Sequence, residues 1–279
     1  MMIQVSDTPW TGENDWPPDS IEFDIFERLK DDSAMHAYRS SNALTYDINI
    51  RKHITLSAKA LNESQATFEL FTATRANKEY WEITNAGGIR LRYGVEPSRG
   101  IQDIFDNSDL YGFECATAMV IIFYHAALQV IGSRVFNELF PNIYLYSWHF
   151  DSDFGLESVK THYFIPGDVV YFNNPDFNVE SPQWRGENAV VLDNDTYFGH
   201  GIGIQTEAEM IDILNDLRNP DSTQSAYLTN VVTRTDNEHL FNQTLSFRSP
   251  WIQKQPSIVV QHNKNSISHQ NYLRYLKNL

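Results

Sequence analysis

The chain contains a single cysteine, Cys115, which stands near the start of a long apolar segment that spans residues 110–132. Polar residues and Gly112 precede it, so we expect a helix to begin near Phe113 and to carry the thiol in its first turn. The unpaired N–H groups and the dipole of a helix start favour a thiolate, which would make the sulfur a nucleophile. The alternative is a packing role, because free cysteines are among the most buried residues.

Glu114 directly precedes the cysteine. A carboxylate beside a thiolate raises the pKa of the thiol, so in a catalytic site Glu114 would belong to the acid–base apparatus. The alternative is structural, since acidic residues are generally preferred in the first turn of a helix. The local sequence leaves both roles open.

A cysteine nucleophile needs a base, and the predicted hairpin in "ENAVVLDNDTYFGHGIGI" offers Glu187 and His200. If Leu192 faces Tyr197 beside the turn, the register places Glu187 opposite Ile202. His200 is then a diagonal neighbour of Glu187 on the same face, with Cβ atoms roughly 7–8 Å apart. A bulge at either glycine of "GHG" would turn one side chain to the other face and break this inference.

The elements that precede the cysteine are predicted to be helices and one hairpin. Ser20 is a candidate N-cap for a helix that ends at Lys30, a second helix ends near Asn62, and Pro97 suits the first position of a third. Alternating apolar and polar residues around "NAGG" indicate a hairpin between the second and third helices.

After the central helix the chain becomes rich in predicted strands. The segment "HYFIPGDVVYF" contains two strand-like runs around residues 166–168, and "SAYLTNVVTR" contains one more. Thr206 and Glu209 form a capping box for a helix that ends near Leu217. We therefore predict an α+β fold, in which a central apolar helix with the cysteine at its N-terminus packs on an antiparallel sheet.

Composition limits the classes of function. The 279 residues are 42% hydrophobic and 13% aromatic, which favours one sizeable globular domain. A net charge of −15 and the lack of a basic run argue against nucleic acid and anionic lipid as partners. The apolar run 116–128 is shorter than the roughly 20 residues that span a bilayer. The first 30 residues do not follow the pattern of a signal peptide, so we expect synthesis in the cytoplasm.

No cofactor or metal is expected from the sequence. One cysteine excludes an intramolecular disulfide and a four-thiolate zinc site. The segment "HFDSDFGLESVKTH" begins like a calcium loop with Asp151 and Asp153. Leu156 occupies the position that requires glycine, and His162 replaces the final glutamate.

Five motifs carry a resemblance to a known family. The motifs "YGFECATAMVIIFYHAAL", "LYSWHF", "QWRGENAVVL", "YFGHGIGI" and "QSAYL", in this order, resemble the transglutaminases of endospore-forming bacteria, the spore-coat protein-glutamine γ-glutamyltransferases. The resemblance extends from residue 3 to about residue 234. It implies a papain-like catalytic domain, residues 1–235, whose activity does not depend on calcium. The polar extension 236–279, of uncertain order, departs from the shorter members of the family.

The resemblance also implies roles for single residues. The cysteine of "FEC", Cys115, is the nucleophile; the glutamate of "RGEN", Glu187, is the general base; and the histidine of "GHG", His200, is the third member. Glu114 is placed to assist or partly replace Glu187. The implied substrates are glutamine- and lysine-bearing spore coat proteins, with ammonia released, and the enzyme would assemble on the spore coat.

A thioester that waits for an amine must be protected from water, and aromatic walls would provide that protection. Trp184 and Trp148 are candidates to line the entry of the substrate, although both could simply pack in the core.

Two other functions remain open. A cysteine amidase or protease would use the same three residues and transfer the acyl group to water. A structural coat protein with vestigial residues is the second alternative, and the joint presence of Cys115, Glu187 and His200 argues against it.

Overall fold

The computed structural model describes residues 3–10, 16–246 and 258–278. Its helices are α1 (Ile21–Asp31), α2 (Ser41–Glu63), α3 (Pro97–Asp106), α4 (Cys115–Leu139), α5 (Glu207–Asp216), α6 (Asn237–Ser246) and α7 (His269–Lys277). Its strands are β1 (Ile3–Val5), β2 (Thr8–Pro9), β3 (His36–Tyr38), β4 (Thr67–Phe68), β5 (Trp81–Ile83), β6 (Ile89–Leu91), β7 (Gly112–Phe113), β8 (Tyr144–Leu145), β9 (Glu157–Lys160), β10 (Val169–Asn173), β11 (Gly186–Val191), β12 (Thr196–Gly199), β13 (Gly203–Thr206) and β14 (Tyr227–Arg234).

The helix starts follow the capping residues of the sequence. The Ser20 hydroxyl accepts from the Phe23 N–H at the start of α1, and Thr206 and Glu209 form both bonds of a capping box at α5. Pro97 occupies the first turn of α3, and β5 pairs with β6 in the predicted hairpin. These predictions are confirmed.

The central helix α4 is apolar on all sides because it is surrounded by protein. It packs most extensively on α2 and α3, and it also contacts β11. Its length and composition would suit a membrane span, but 78% of its most apolar window is buried inside the fold. Gly132, with φ of 75°, breaks the helical conformation near its end. The helix begins at Cys115, two residues later than predicted, because 112–113 pair as β7 with β4.

A six-stranded antiparallel sheet supports α4. Its strand order is β13-β12-β11-β10-β14-β9, so four of its six strands, β10 to β13, pair with their neighbours in the sequence. Side chains alternate between its faces: Val169 and Val190 pack in the α4 core, whereas Val170 and Val191 pack with α5. The predicted α+β fold with a central helix on an antiparallel sheet is confirmed.

One predicted strand is wrong. The first run of "HYFIPGDVVYF" is not a strand, since residues 161–168 form turns and an irregular segment between β9 and β10. The Asp168 carboxylate accepts the Ile165 N–H and also binds Arg51, so a side chain satisfies backbone that a strand would have paired.

The C-terminal extension has two described parts. Helix α6 packs on α2 and α4, and Leu240 within it is fully buried. Residues 258–278, which we call the C-terminal segment, include α7 and also pack against the main core through Val260, Ile267 and Tyr272. The division between 1–235 and 236–279 stays a prediction.

Candidate active site

The junction between β7 and α4 is held by Glu114, the N-cap residue. Its carboxylate accepts the N–H groups of Ala116 at 3.1 Å and Thr117 at 2.9 Å, and also the Thr117 hydroxyl at 3.0 Å. These bonds satisfy two of the helix donors that have no intrahelical partner. The carboxyl group that precedes the cysteine therefore fixes the first turn in which the sulfur lies.

Cys115 is completely buried at the first position of α4. Its Sγ lies 3.2 Å from the Ser266 Oγ, 3.3 Å from the Asn188 Nδ2 and 3.7 Å from a Glu114 oxygen. Burial raises the pKa of the Cys115 thiol well above its usual value, and the nearby carboxyl groups of Glu187 and Glu114 raise it further. In this conformation the sulfur is a protonated thiol.

Glu187 is also completely buried, at the start of β11. Its Oε1 accepts the Gly201 N–H at 3.1 Å, while its Oε2 has no hydrogen-bond partner within the described ranges. Burial raises the pKa of Glu187 to about 8, with a further contribution from Glu114. Glu187 is therefore protonated at neutral pH, with one oxygen free to meet a reacting group.

His200 lies in the turn between β12 and β13, above the small sheet formed by β4 and β7. Its Nε2 is 3.1 Å from the Thr67 carbonyl oxygen, and its ring stacks on Phe113 at a centroid distance of 4.7 Å. Burial lowers the pKa of His200 to about 4, so the imidazole is neutral. Among the described residues no hydrogen bond joins this ring to Cys115 or Glu187.

The predicted register of this hairpin is wrong by one residue. Val191, not Leu192, pairs with Tyr197, and β12 ends at Gly199. A turn follows at residues 200–202, so His200 is not on a strand face. The carboxyl group of Glu187 meets the backbone of this turn, whereas the imidazole of His200 points to Thr67. The sequence thus predicted the neighbourhood of the two residues but not their contact.

The two tryptophans have different surroundings. Trp184 is half-buried and stacks on Phe68 at 5.8 Å, close to the turn that carries His200. Trp148 is completely buried, and its Nε1 donates to the carbonyl oxygen of Ile267 at 2.8 Å. In this conformation Trp148 contacts the C-terminal segment. A substrate-binding role for either residue remains a prediction.

Two residues at the sulfur were missed from sequence. Asn188 follows Glu187, and strand alternation directs it to the α4 face, so its position beside Cys115 could have been deduced from "RGEN". Ser266 lies 151 positions from the cysteine in a polar segment without sustained periodicity. No local signal places it there.

Comparison with known proteins decides the family. The sequence model of the protein-glutamine gamma-glutamyltransferase family matches residues 2–244. This chain belongs to that family. The transglutaminase resemblance of the five motifs is confirmed, and the activity of the family is acyl transfer from protein glutamine, which uses glutamine- and lysine-bearing proteins and releases ammonia.

Individual transglutaminases match over most of the chain. The protein-glutamine gamma-glutamyltransferase of Halalkalibacterium halodurans is 44% identical over 278 residues, which cover 100% of this chain and 98% of that protein. The Bacillus pumilus protein of the same name is 45% identical over 212 residues, 76% of this chain and 86% of its own.

A solved structure supports the same assignment. The transglutaminase from Geobacillus stearothermophilus, solved without its C-terminal extension, superposes with a TM-score of 0.70 at 43% identity. The match covers 73% of this chain and 97% of that one.

Proposed function

We propose that this transglutaminase cross-links spore coat proteins through a Cys115 thioester, with Glu187 as the proton donor and acceptor, and that it works without calcium. The observation that carries the mechanism is a pair of buried groups, one at the start of α4 and one at the start of β11. The Cys115 thiol lies at a helix N-terminus, and the Glu187 carboxyl group, when ionised, raises the pKa of this thiol. Within the described ranges the Glu187 Oε2 has no hydrogen-bond partner.

The first half-reaction forms the thioester. The Cys115 sulfur attacks the γ-carbonyl carbon of a glutamine, and the bond from this carbon to the amide nitrogen breaks. Ammonia leaves a tetrahedral intermediate only if its nitrogen is protonated, and Glu187 is the acid that holds a proton at neutral pH. His200 is neutral and can accept the thiol proton once its ring turns away from the Thr67 carbonyl oxygen, a movement that the proposal requires. The Ala116 and Thr117 N–H groups already bond Glu114, so we assign the Cys115 N–H, the remaining donor of the first turn, to the developing oxyanion.

In the second half-reaction the Glu187 carboxylate accepts a proton, where in the first half-reaction its protonated form donated one. A lysine arrives mainly as an ammonium ion, because its reference pKa is about 10.4. Glu187, ionised after the first step, removes a proton so that the amine can attack the thioester carbon. The carbon–sulfur bond breaks, the thiol is restored, and an ε-(γ-glutamyl)lysine isopeptide bond joins the two proteins. Glu114 has the secondary role, since its oxygens already accept the N–H groups of α4.

The place of action and the calcium independence rest on the resemblance of the five motifs to the spore-coat enzymes. The chain would be made in the cytoplasm and would assemble on the spore coat. Trp184, half-buried beside the His200 turn, would line the path of the lysine side chain.

The test is covalent incorporation of a fluorescent primary amine into a glutamine-rich protein, followed to its end point with and without a calcium chelator. We expect incorporation that survives chelation and disappears in Cys115→Ala, with one ammonia released per amine incorporated. The folded state of the variant is checked by circular dichroism.

Three results would contradict the proposal. Incorporation by folded Cys115→Ala would refute the thioester, and loss on chelation would refute calcium independence. Ammonia release without amine incorporation would mean that water is the acceptor, and the protein would then be an amidase.

A further inference from the structure

The C-terminal segment passes over the catalytic sulfur at Ser266. Ser266 is completely buried, and its Oγ is 3.2 Å from the Cys115 Sγ. Its N–H donates to a Glu114 oxygen at 3.3 Å, so the same residue also engages the N-cap carboxylate. The thiol and the carboxyl group beside it are both covered by one residue of this segment.

Beside the sulfur, the core holds this segment through two main-chain carbonyl groups. The Ile267 carbonyl oxygen accepts from the Trp148 Nε1 at 2.8 Å and from the Asn188 Nδ2 at 3.0 Å. The Ser266 carbonyl oxygen accepts the Tyr171 hydroxyl at 2.9 Å. Three side chains from three different parts of the core therefore hold two consecutive peptide units beside the sulfur.

The segment is anchored on both sides of these two units. Upstream, the Asn265 side chain accepts the Phe71 N–H at 3.3 Å, and the His262 backbone bonds the Tyr146 hydroxyl. Downstream, the His269 ring meets the Ser158 hydroxyl at 2.9 Å, and Tyr272 of α7 is buried in the main core. Ser266 itself has φ of 53°, a left-handed conformation that is unfavourable for a non-glycine residue. The contacts on both sides must offset that cost.

We propose, building on the transferase mechanism above, that the C-terminal segment is an intramolecular inhibitor that occupies the cleft for the glutamine-bearing substrate. The donors that hold its carbonyls, Trp148, Tyr171 and Asn188, are those that hold the main chain of the acyl donor once the segment has left. Ser266 has no side-chain amide, so the occupant forms no thioester and leaves unchanged.

Two physical arguments support this proposal. A substrate glutamine must bring its γ-carbonyl carbon within bonding reach of the sulfur, and the Ser266 hydroxyl fills that space. The pocket also pairs polar side-chain donors with main-chain carbonyl acceptors. Buried donors without acceptors are unfavourable. When the segment has left, the carbonyl groups of another peptide can therefore bind the same donors and stabilise the complex.

The test measures access to the sulfur independently of catalysis. Cys115 is the only thiol, so alkylation by iodoacetamide, followed by intact mass, reports on this site alone. Two full-length variants, Ile267→Asp and Tyr272→Ala, each place an unfavourable change in a buried position of the segment. Ile258→Asp is the matched control, with the same substitution in the same segment at a residue that is 68% exposed.

We expect at least a tenfold faster alkylation of Cys115 and faster amine incorporation in both folded variants, with Ile258→Asp like the parent. Equal alkylation rates in parent and undocked variants would overturn the proposal. Faster alkylation without any amine incorporation would support the proposal that the segment covers Cys115. It would refute the proposed transferase mechanism instead.

A disulfide between the segment and Cys115 gives a second test. This test does not require the fold to tolerate a buried aspartate. In Ser266→Cys, oxidised glutathione should accept two electrons and two protons as the two thiols join, which gives a disulfide between positions 115 and 266, two reduced glutathiones and a mass loss of about 2 Da. Mixed disulfides with glutathione in place of the internal bond would contradict the docked geometry.

Discussion

The backbone N–H of Gly201 donates to one carboxyl oxygen of Glu187 at 3.1 Å, in a site where the other oxygen has no partner within the described ranges. One N–H group compensates little of the cost of burying a charge, and the pKa of Glu187 therefore rises to about 8. The proposed acid is thereby neutral, and the folded state becomes sensitive to pH.

Glu187→Gln should change the pH dependence of stability. Between the ordinary value of 4.5 and about 8, the folded chain keeps a proton that the unfolded chain releases, so the free energy of unfolding falls as pH rises. Relative to the parent, the variant should gain up to about 1.4 kcal/mol per pH unit in this window. Denaturant unfolding from pH 5 to 8 measures this, with the surface change Glu207→Gln as control. Parallel curves for parent and Glu187→Gln would contradict the raised pKa.

Gly199→Ala should reduce activity by displacing Glu187. A Cβ at position 199 would lie 2.7 Å from the Glu187 Cγ and 2.8 Å from its Oε1, closer than real Cβ contacts. Gly201→Ala is the comparison, since its Cβ would meet Phe68 and Trp184 at an ordinary 3.4 Å. We expect a loss of more than tenfold in kcat for the first and a smaller loss for the second. Equal losses would mean that crowding of Glu187 is not the cause.

Glu114→Ala and Glu114→Gln should separate the capping role from the acid–base role. Alanine removes the acceptor of two N–H groups at the start of α4, which should cost about 0.5–2 kcal/mol of stability. Glutamine keeps one acceptor oxygen and should retain most of that stability. Thermal unfolding measures both. If Glu114 also assists Glu187, the double variant Glu114→Gln, Glu187→Gln should lose the residual activity of Glu187→Gln, and a double variant as active as the single one would refute that assistance.

Tyr171→Phe removes a single hydroxyl that binds the Ser266 carbonyl and leaves the ring in place. We expect a modest rise in the alkylation rate of Cys115, because one hydrogen bond contributes about 0.5–1.5 kcal/mol. A higher KM for the glutamine substrate with little change in kcat would follow from a shared cleft. A change in kcat alone would indicate that Tyr171 acts on the chemical step.

Arg51→Met should destabilise the whole fold. The buried guanidinium of Arg51 on α2 bonds Asp47 at 3.1 Å and Asp168 at 2.9 Å, and Asp168 also meets Arg234 of β14. Methionine would leave the buried carboxylates of Asp47 and Asp168 without their ion pairs to Arg51. We expect the free energy of unfolding to fall by about 3–5 kcal/mol. Urea unfolding measures this, with the exposed Arg134→Met as control. Equal stability of both variants would show that the network contributes nothing.

Local signals in the sequence predicted the parts of the site that depend on local structure. The start of α4, the place of Cys115 in its first turn and the hairpin that carries Glu187 all follow from caps, periodicity and turn residues. The register failed by one residue because the length of a turn depends on backbone angles that side-chain alternation does not encode. Asn194 and Asp195 in that turn adopt positive φ values.

The cover over the sulfur could not be predicted. Ser266 and Ile267 are held by contacts with residues 114 to 188, and no long apolar period precedes α7 in their own part of the sequence. Long-range docking of a polar segment depends on the shape of a cleft that exists only after the core has folded. The family resemblance, which ended near residue 234, carried no information on it.

Trp148, Asn188 and Tyr171 donate hydrogen bonds to main-chain carbonyl groups, which are common to every polypeptide. A cleft that recognises peptide units in this way is largely indifferent to the amino acids on either side, so the enzyme should accept glutamines in many sequence contexts. The same indifference frees the side chains of the covering segment to vary, provided that its path across the core is kept. Recognition of main-chain carbonyl groups would then explain two properties together: a broad range of substrates and tolerance to sequence change in the covering segment.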